Sequence, residues 1–179
     1  MGTEGSGRSR FQWENLGDMA TARPNLGPTT NILVYRLMQY TLRDVLAKRY
    51  GSDEASRIVR EAGQLAGEEF CRNLLDTTLP FNPFVALLQE RLKTLGIGIL
   101  RIEKSDPSTM EFVLTVSEDL DCSGLPIIGE TVCEYDEGFI AGIFSVYTGR
   151  PFTAREIDCW ATGERTCRFI TKPAEEEIP

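Results

Sequence analysis

The 179-residue chain contains no histidine. That absence removes the commonest general base, the Ser-His and Cys-His nucleophile pairs, and every histidine-ligated metal site. No apolar run approaches the roughly 18 residues that a spanning helix needs, so no membrane span is expected. Positive charge is also short. Lys and Arg number 19 against 27 Asp and Glu, a formal net charge of −8. Neither a nucleic-acid groove nor a polybasic membrane anchor fits that balance. The first residues, MGTEGSGRSRF, hold no apolar h-region and are not read as a signal peptide. No G-x-G-x-x-G follows an expected strand, and there is no flavin or iron–sulfur signature. Hydride transfer by this chain alone therefore lacks a donor, and the reading leans away from an enzyme.

Five cysteines are present. Without a secretion signal they point to a reducing compartment, and so to the cytoplasm, where clustered cysteine binds metal more often than it forms disulfides. Three of them, with one carboxylate, form a pattern: Cys133, Glu156, Cys159 and Cys167, then Phe169. Three soft sulfurs and one oxygen suit a closed, four-coordinate Zn²⁺ site, which braces structure rather than activating water. Spacing alone leaves other readings open: a Cys159–Cys167 disulfide, or buried free thiols beside an unrelated Glu156. Cys71 and Cys122 stand apart in sequence and read as small buried apolar residues.

Residues 1–27 are rich in Gly, Ser, Arg, Asn and Pro and read as a flexible lead, with Phe11, Trp13 and Leu16 its main apolar residues before Met19. A domain over 28–172 follows, then an acidic tail over 173–179. A first helix is predicted from Thr29 or Thr30 as N-cap to Gly51, and a second from Ser52 or Asp53 to about Asp76. Gly63 and Gly67 give the second helix a small face where another backbone can approach. A third helix is expected over 84–95 and a fourth over 131–148, the latter mostly buried, with Gly138 and Gly142 on one smooth face. Strands are expected over 97–103 and 110–116, joined by a turn at 106–109. A last hairpin pairs 151–160 with 165–171 and turns at Gly163.

Centring the hairpin on Gly163 places Cys159 opposite Cys167. Glu156, three residues before Cys159, falls on the other face of a straight strand. Chelation by both therefore predicts a bulge near Ile157–Asp158.

The stretch GFIAGIFSVYTGRP, followed by E-x2-C-W-A-x-G-x3-C-x-F, resembles the 4-vinyl reductase domain. The same module serves as the aromatic-sensing domain of phenol- and xylene-responsive activators, and as a free-standing protein linked to bacteriochlorophyll synthesis. The resemblance implies an α/β (α+β) fold akin to TRAPP-type tethering subunits, with helices packed on a twisted antiparallel sheet and a zinc-bound C-terminal hairpin. It also implies structural Zn²⁺ on Cys133, Glu156, Cys159 and Cys167, and a homodimer formed through N-terminal elements. Phenol sensors hold the ligand hydroxyl with a histidine and a tryptophan. This chain has no histidine, and its tryptophans are Trp13 and Trp160. A more apolar or larger ligand than phenol is expected.

The candidate pocket lining is Phe81, Phe84, Leu88, Phe112, Leu114, Tyr135, Phe139, Ile143 and Tyr147. The functional expectation is a sensor or carrier for a hydrophobic or aromatic small molecule, its output read by a partner protein or dimer mate. The alternatives are a factor that binds a vinyl tetrapyrrole in chlorophyll synthesis or photosystem assembly, and a plain interaction module.

Overall fold

The computed structural model describes residues 11–18, 21–106 and 108–175. Residues 1–10 of the predicted lead and the tip of the tail lie outside these ranges, as do Met19, Ala20 and Pro107. Helix α1 spans Ile32–Tyr50 and α2 Ser52–Leu74. Asn31 caps α1, its side chain accepting from Leu33 N–H at 2.9 Å, one position past the predicted threonines. Helix α3 spans Phe81–Thr94. It begins three residues before the predicted start, because Pro83 falls in the first turn, where a missing N–H costs no intrahelical bond.

Strands β1 (Ile99–Asp106) and β2 (Glu111–Ser117) form the first hairpin. Helix α4, Glu134–Thr148, ends on Gly149 in the left-handed conformation. Strands β3 (Phe152–Asp158) and β4 (Thr166–Pro173) form the last hairpin, with a 3-10 turn at Trp160–Thr162 between them. Gly163 closes that turn at φ 107°.

The sheet is antiparallel throughout, in the order β1-β2-β4-β3. Its inward residues alternate: Phe112, Leu114 and Val116 on β2, and Cys167, Phe169 and Thr171 on β4, are buried. Helices α3 and α4 cover this face. Helix α4 is the central element, with Asp136 through Phe144 all buried. Helix α2 packs behind α4, and α1 lies outermost against α2. The α2–α4 contact is backbone on backbone, as the glycine pairs suggested. A Cβ on Gly63 would stand 2.0 Å from Tyr135 O, and one on Gly142 would stand 2.3 Å from Gln64 O.

Helix α1 is the most exposed of the helices. Its apolar stripe buries nothing. Leu33, Val34, Leu37, Met38, Leu42 and Val45 are each at least half exposed. Polar bonds dock the helix instead. Tyr35 Oη donates to Asp121 Oδ1 at 2.8 Å, Gln39 Nε2 to Asp121 Oδ2 at 2.6 Å, and Tyr40 Oη to Asp121 O at 2.9 Å. Arg36 Nε donates to Leu120 O at 2.8 Å.

Candidate functional site

Four thiols converge where the last hairpin meets the start of α4. Cys133 is the N-cap residue of α4, Cys159 follows β3, and Cys167 lies on β4. The predicted bulge is present. The β3–β4 register shifts between Glu156 and Asp158, so Ile157 turns outward, 43% exposed. Glu156 and Cys159 can therefore both face inward, and both are buried.

Cys122 is the fourth thiol, which corrects its reading as a separate packing residue. Asp119 bends the chain back after β2, its Oδ1 accepting from the N–H groups of Asp121 at 2.8 Å and Cys122 at 3.0 Å. Because β2 neighbours β4, pairing Val116 with Cys167, that bend returns Cys122 beside Cys167. The signal in the sequence is D-L-D-C, an aspartate turn ending on a cysteine.

The donor atoms of Cys122, Cys133, Cys159 and Cys167 lie within 4.8 Å of one another. The Cys133 sulfur is 3.8 Å from that of Cys159 and 3.9 Å from that of Cys167, and the Cys122–Cys167 separation is 3.0 Å. A tetrahedron of sulfurs around Zn²⁺ has edges of about 3.8 Å, given Zn–S bonds near 2.3 Å. Hydrogen bonding among the thiols, Cys122 foremost, drives Cys159 well below the ordinary thiol range and pushes Cys133 and Cys167 well above it. Four buried sulfurs at this spacing are a donor set that fits a soft divalent metal.

Glu156 borders this group. Its Oε2 accepts from Cys133 N–H at 3.1 Å, while Oε1 is buried without a partner. Burial, reinforced by nearby Cys159, raises its carboxyl to about 8. The loop that carries Cys122 is tied to the hairpin, Ile128 and Gly129 N–H donating to Ala161 O at 2.9 and 3.0 Å. Trp160 Nε1 donates to Leu125 O at 3.1 Å.

Beside the thiols, two cavities meet at Asp136. The inner one, about 20 Å³, lies between α3, α4 and the sheet, and its lining includes Leu88, Leu114, Phe139 and Ile143 from the predicted set. The outer one, about 150 Å³, lies under α1 between Tyr35, Ile97, Asp121, Tyr135 and Phe139. A third space of about 180 Å³ separates α1 from α2, again against Tyr35 and Tyr135. The other predicted lining residues pack together elsewhere. Phe81 stacks on Phe112 at 4.9 Å between ring centroids and Phe84 on Tyr147 at 3.8 Å, while Tyr147 Oη donates to Leu79 O. Sequence reasoning did not find Asp119, Asp121 or Asp136. All three are buried, where carboxylates are rare unless paired.

Residues 112–173 match the family model of the 4-vinyl reductase domain. The matched span covers β2 through β4, and with them Cys122, Cys133, Glu156, Cys159 and Cys167. An uncharacterized protein of Methanocaldococcus jannaschii is 25% identical over 89% of this chain and 87% of its own length. A second from the same organism is 24% identical over 80% of this chain and 78% of its own.

Among solved structures, the phenol-responsive sensory domain of the transcription activator PoxR, with phenol, aligns at a TM-score of 0.58. It is 15% identical, over 80% of this chain and 75% of that one. A vinyl-4-reductase family protein from M. jannaschii aligns at 0.57 and 16% identity, over 82% and 83% of the two chains. A trafficking protein particle complex subunit 3 from Naegleria fowleri, covalently bound to palmitic acid, aligns at 0.63 and 14%, over 81% and 96%. These structures share the α+β fold that the resemblance implied. No described helix is long and apolar enough to cross a membrane.

Proposed function

We propose that this chain is a zinc-stabilised, small-molecule-binding domain, a sensor or carrier for a hydrophobic or aromatic ligand. The observation that carries the reading is the pair of cavities at Asp136, lined largely by apolar side chains and set beside the thiol cluster. Apolar concavities with a few convergent polar groups are the usual form of ligand sites. The family match and the likeness to a phenol-sensing domain support the same reading.

In this proposal Zn²⁺ binds Cys133, Cys159 and Cys167, with Cys122 supplying the fourth donor. Glu156 then orients the Cys133 backbone from outside the ligand shell, a role such partners commonly fill. The metal's part is to hold the loop after β2, the start of α4 and the last hairpin in one place. The protein works in a reducing, cytoplasmic setting, where four thiols stay free to bind metal.

A homodimer through α1 belongs to the proposal. Val34, Met38, Leu42 and Val45 form a row at helical spacing, exposed by 50 to 63%. A second copy of the same helix would cover that row in an isologous contact. The cavity sizes favour a single ring over a tetrapyrrole.

Native mass spectrometry before and after denaturation tests the reading. The expected result is one zinc per chain and a dimer, with an apolar molecule released on unfolding or taken up from an added panel of single-ring aromatics. A protein that holds no such molecule and takes up none of the panel is a plain interaction module, and the sensor reading fails.

A further inference from the structure

Asp136 is more than nine-tenths buried on the first turn of α4 and lines both cavities. Its Oδ2 has no hydrogen-bond partner. Every other residue around the inner cavity is aliphatic or aromatic except Asp119, whose carboxyl lies against that of Asp136. Asp119 is already engaged, its Oδ1 taking two backbone N–H groups. Asp121, across the outer cavity, is likewise engaged by Tyr35 and Gln39. One acceptor is left over, at the junction of two apolar chambers.

Burial, and then Asp119, Asp121 and Glu156, hold the Asp136 carboxyl well above the usual carboxylate range; Asp119 shares a side-chain hydrogen bond with it, and Tyr35, Cys133 and Tyr135 are its other ionisable neighbours. The nearby cations are committed elsewhere. Arg36 bonds the carbonyls of Leu120 and Asp119, and Arg60 pairs with Glu137. A buried acceptor without a donor costs free energy that a ligand can recover.

We infer that Asp136 is the ligand anchor, and that the pocket selects an apolar or aromatic molecule bearing one hydrogen-bond-donating head group, ammonium ahead of hydroxyl. This rests on the ligand-binding reading above and narrows it. An anionic head group is disfavoured, because it would face the carboxyl groups of Asp119, Asp121 and Asp136. A carboxylate-bearing lipid or aromatic acid is therefore the poorer ligand. The outer cavity, about 150 Å³, is of the size that takes one benzene ring, which places the ring under α1 and its head group on Oδ2.

The test is calorimetry on the zinc-loaded dimer with four ligands of like shape: benzylamine, benzyl alcohol, toluene and benzoate. The expected order is benzylamine, benzyl alcohol, toluene, then benzoate, with at least about tenfold between benzylamine and toluene, as for a hydrogen bond to a charged group. Asp136→Leu should bind toluene at least as well as benzylamine. Asp136→Asn, nearly isosteric, keeps an acceptor for the alcohol but loses most of the preference for the ammonium, so it serves if the leucine variant does not fold. Equal binding of toluene and benzylamine by the native protein overturns the anchor and leaves the apolar pocket standing. A preference unchanged in both variants overturns the anchor as well. Binding of none of the four overturns the anchor together with the ligand-binding reading.

Discussion

A methyl group on Gly138 would stand 1.9 Å from the carbonyl oxygen of Arg60 on the facing helix. Neither atom belongs to a flexible side chain, so no rotamer change relieves the clash. Gly138→Ala should therefore cost about 3 kcal/mol, at the upper end for overpacked sites. Thermal or urea melts check this. A loss below about 0.5 kcal/mol would show that the two helices separate easily, contrary to the packing described.

The metal centre gives a spectroscopic prediction. Cobalt substituted for zinc should show thiolate charge-transfer bands from four sulfurs. Cys122→Ser should lower their intensity by about a quarter and weaken the metal's hold, because thiolate is the better donor to this class of ion. Glu156→Gln should leave the bands in place. If instead Cys122→Ser keeps the full spectrum and Glu156→Gln changes it, the ligand set is Cys133, Glu156, Cys159 and Cys167.

Metal removal should unfold more than the hairpin. The loop after β2, the start of α4 and the last hairpin each contribute a thiol, and site formation is coupled to folding. Cys159→Ser should lose bound zinc and melt at lower temperature. Full metal content with an unchanged Tm would refute the assignment of Cys159.

Charge placed on the exposed row of α1 should separate the dimer without unfolding the domain. Met38→Glu and Leu42→Glu together should give a monomer at tens of micromolar in sedimentation velocity, with native helical content. The residues are already exposed in the single chain, so its stability should change by no more than about 0.5 kcal/mol. A dimer that survives the double change lies elsewhere.

Asp121 is the acceptor that docks α1. Asp121→Ala removes the carboxylate partner of Tyr35 and Gln39. Hydrogen exchange should then quicken along Ile32–Tyr50 while the α2–α4 pair stays protected. Uniformly faster exchange would instead mark Asp121 as a determinant of the whole fold.

Much of this architecture is legible in the chain. Gly51, Gly149 and Gly163 mark where elements end, and alternation along 110–116 marks an inward-facing strand. The odd three-residue step from Glu156 to Cys159 called for a bulge, and the register shift beyond Glu156 supplies one. What escaped depends on which strands are neighbours. Cys122 joins the thiols only because β2 lies beside β4, a pairing that no local spacing encodes. The exposed side of α1 escaped for a similar reason. An apolar stripe at helical period looks the same whether it faces a core or a second molecule. Asp136 was hidden within the acidic start of α4, where carboxylates commonly complement the helix dipole at the surface.

Gly51 is both the last cap of α1 and the first of α2, with φ 91° and open space where a Cβ would be. Helices α2 and α4 are locked together by their facing glycines. α1 is fastened to the body through polar bonds, the ion pair of Arg43 with Glu134 on α4 among them, and the chain passes from it into α2 at Gly51. Any displacement of α1 from the body would therefore turn about Gly51. The outer chamber, the Asp121 latch and the apolar row all lie along that one helix.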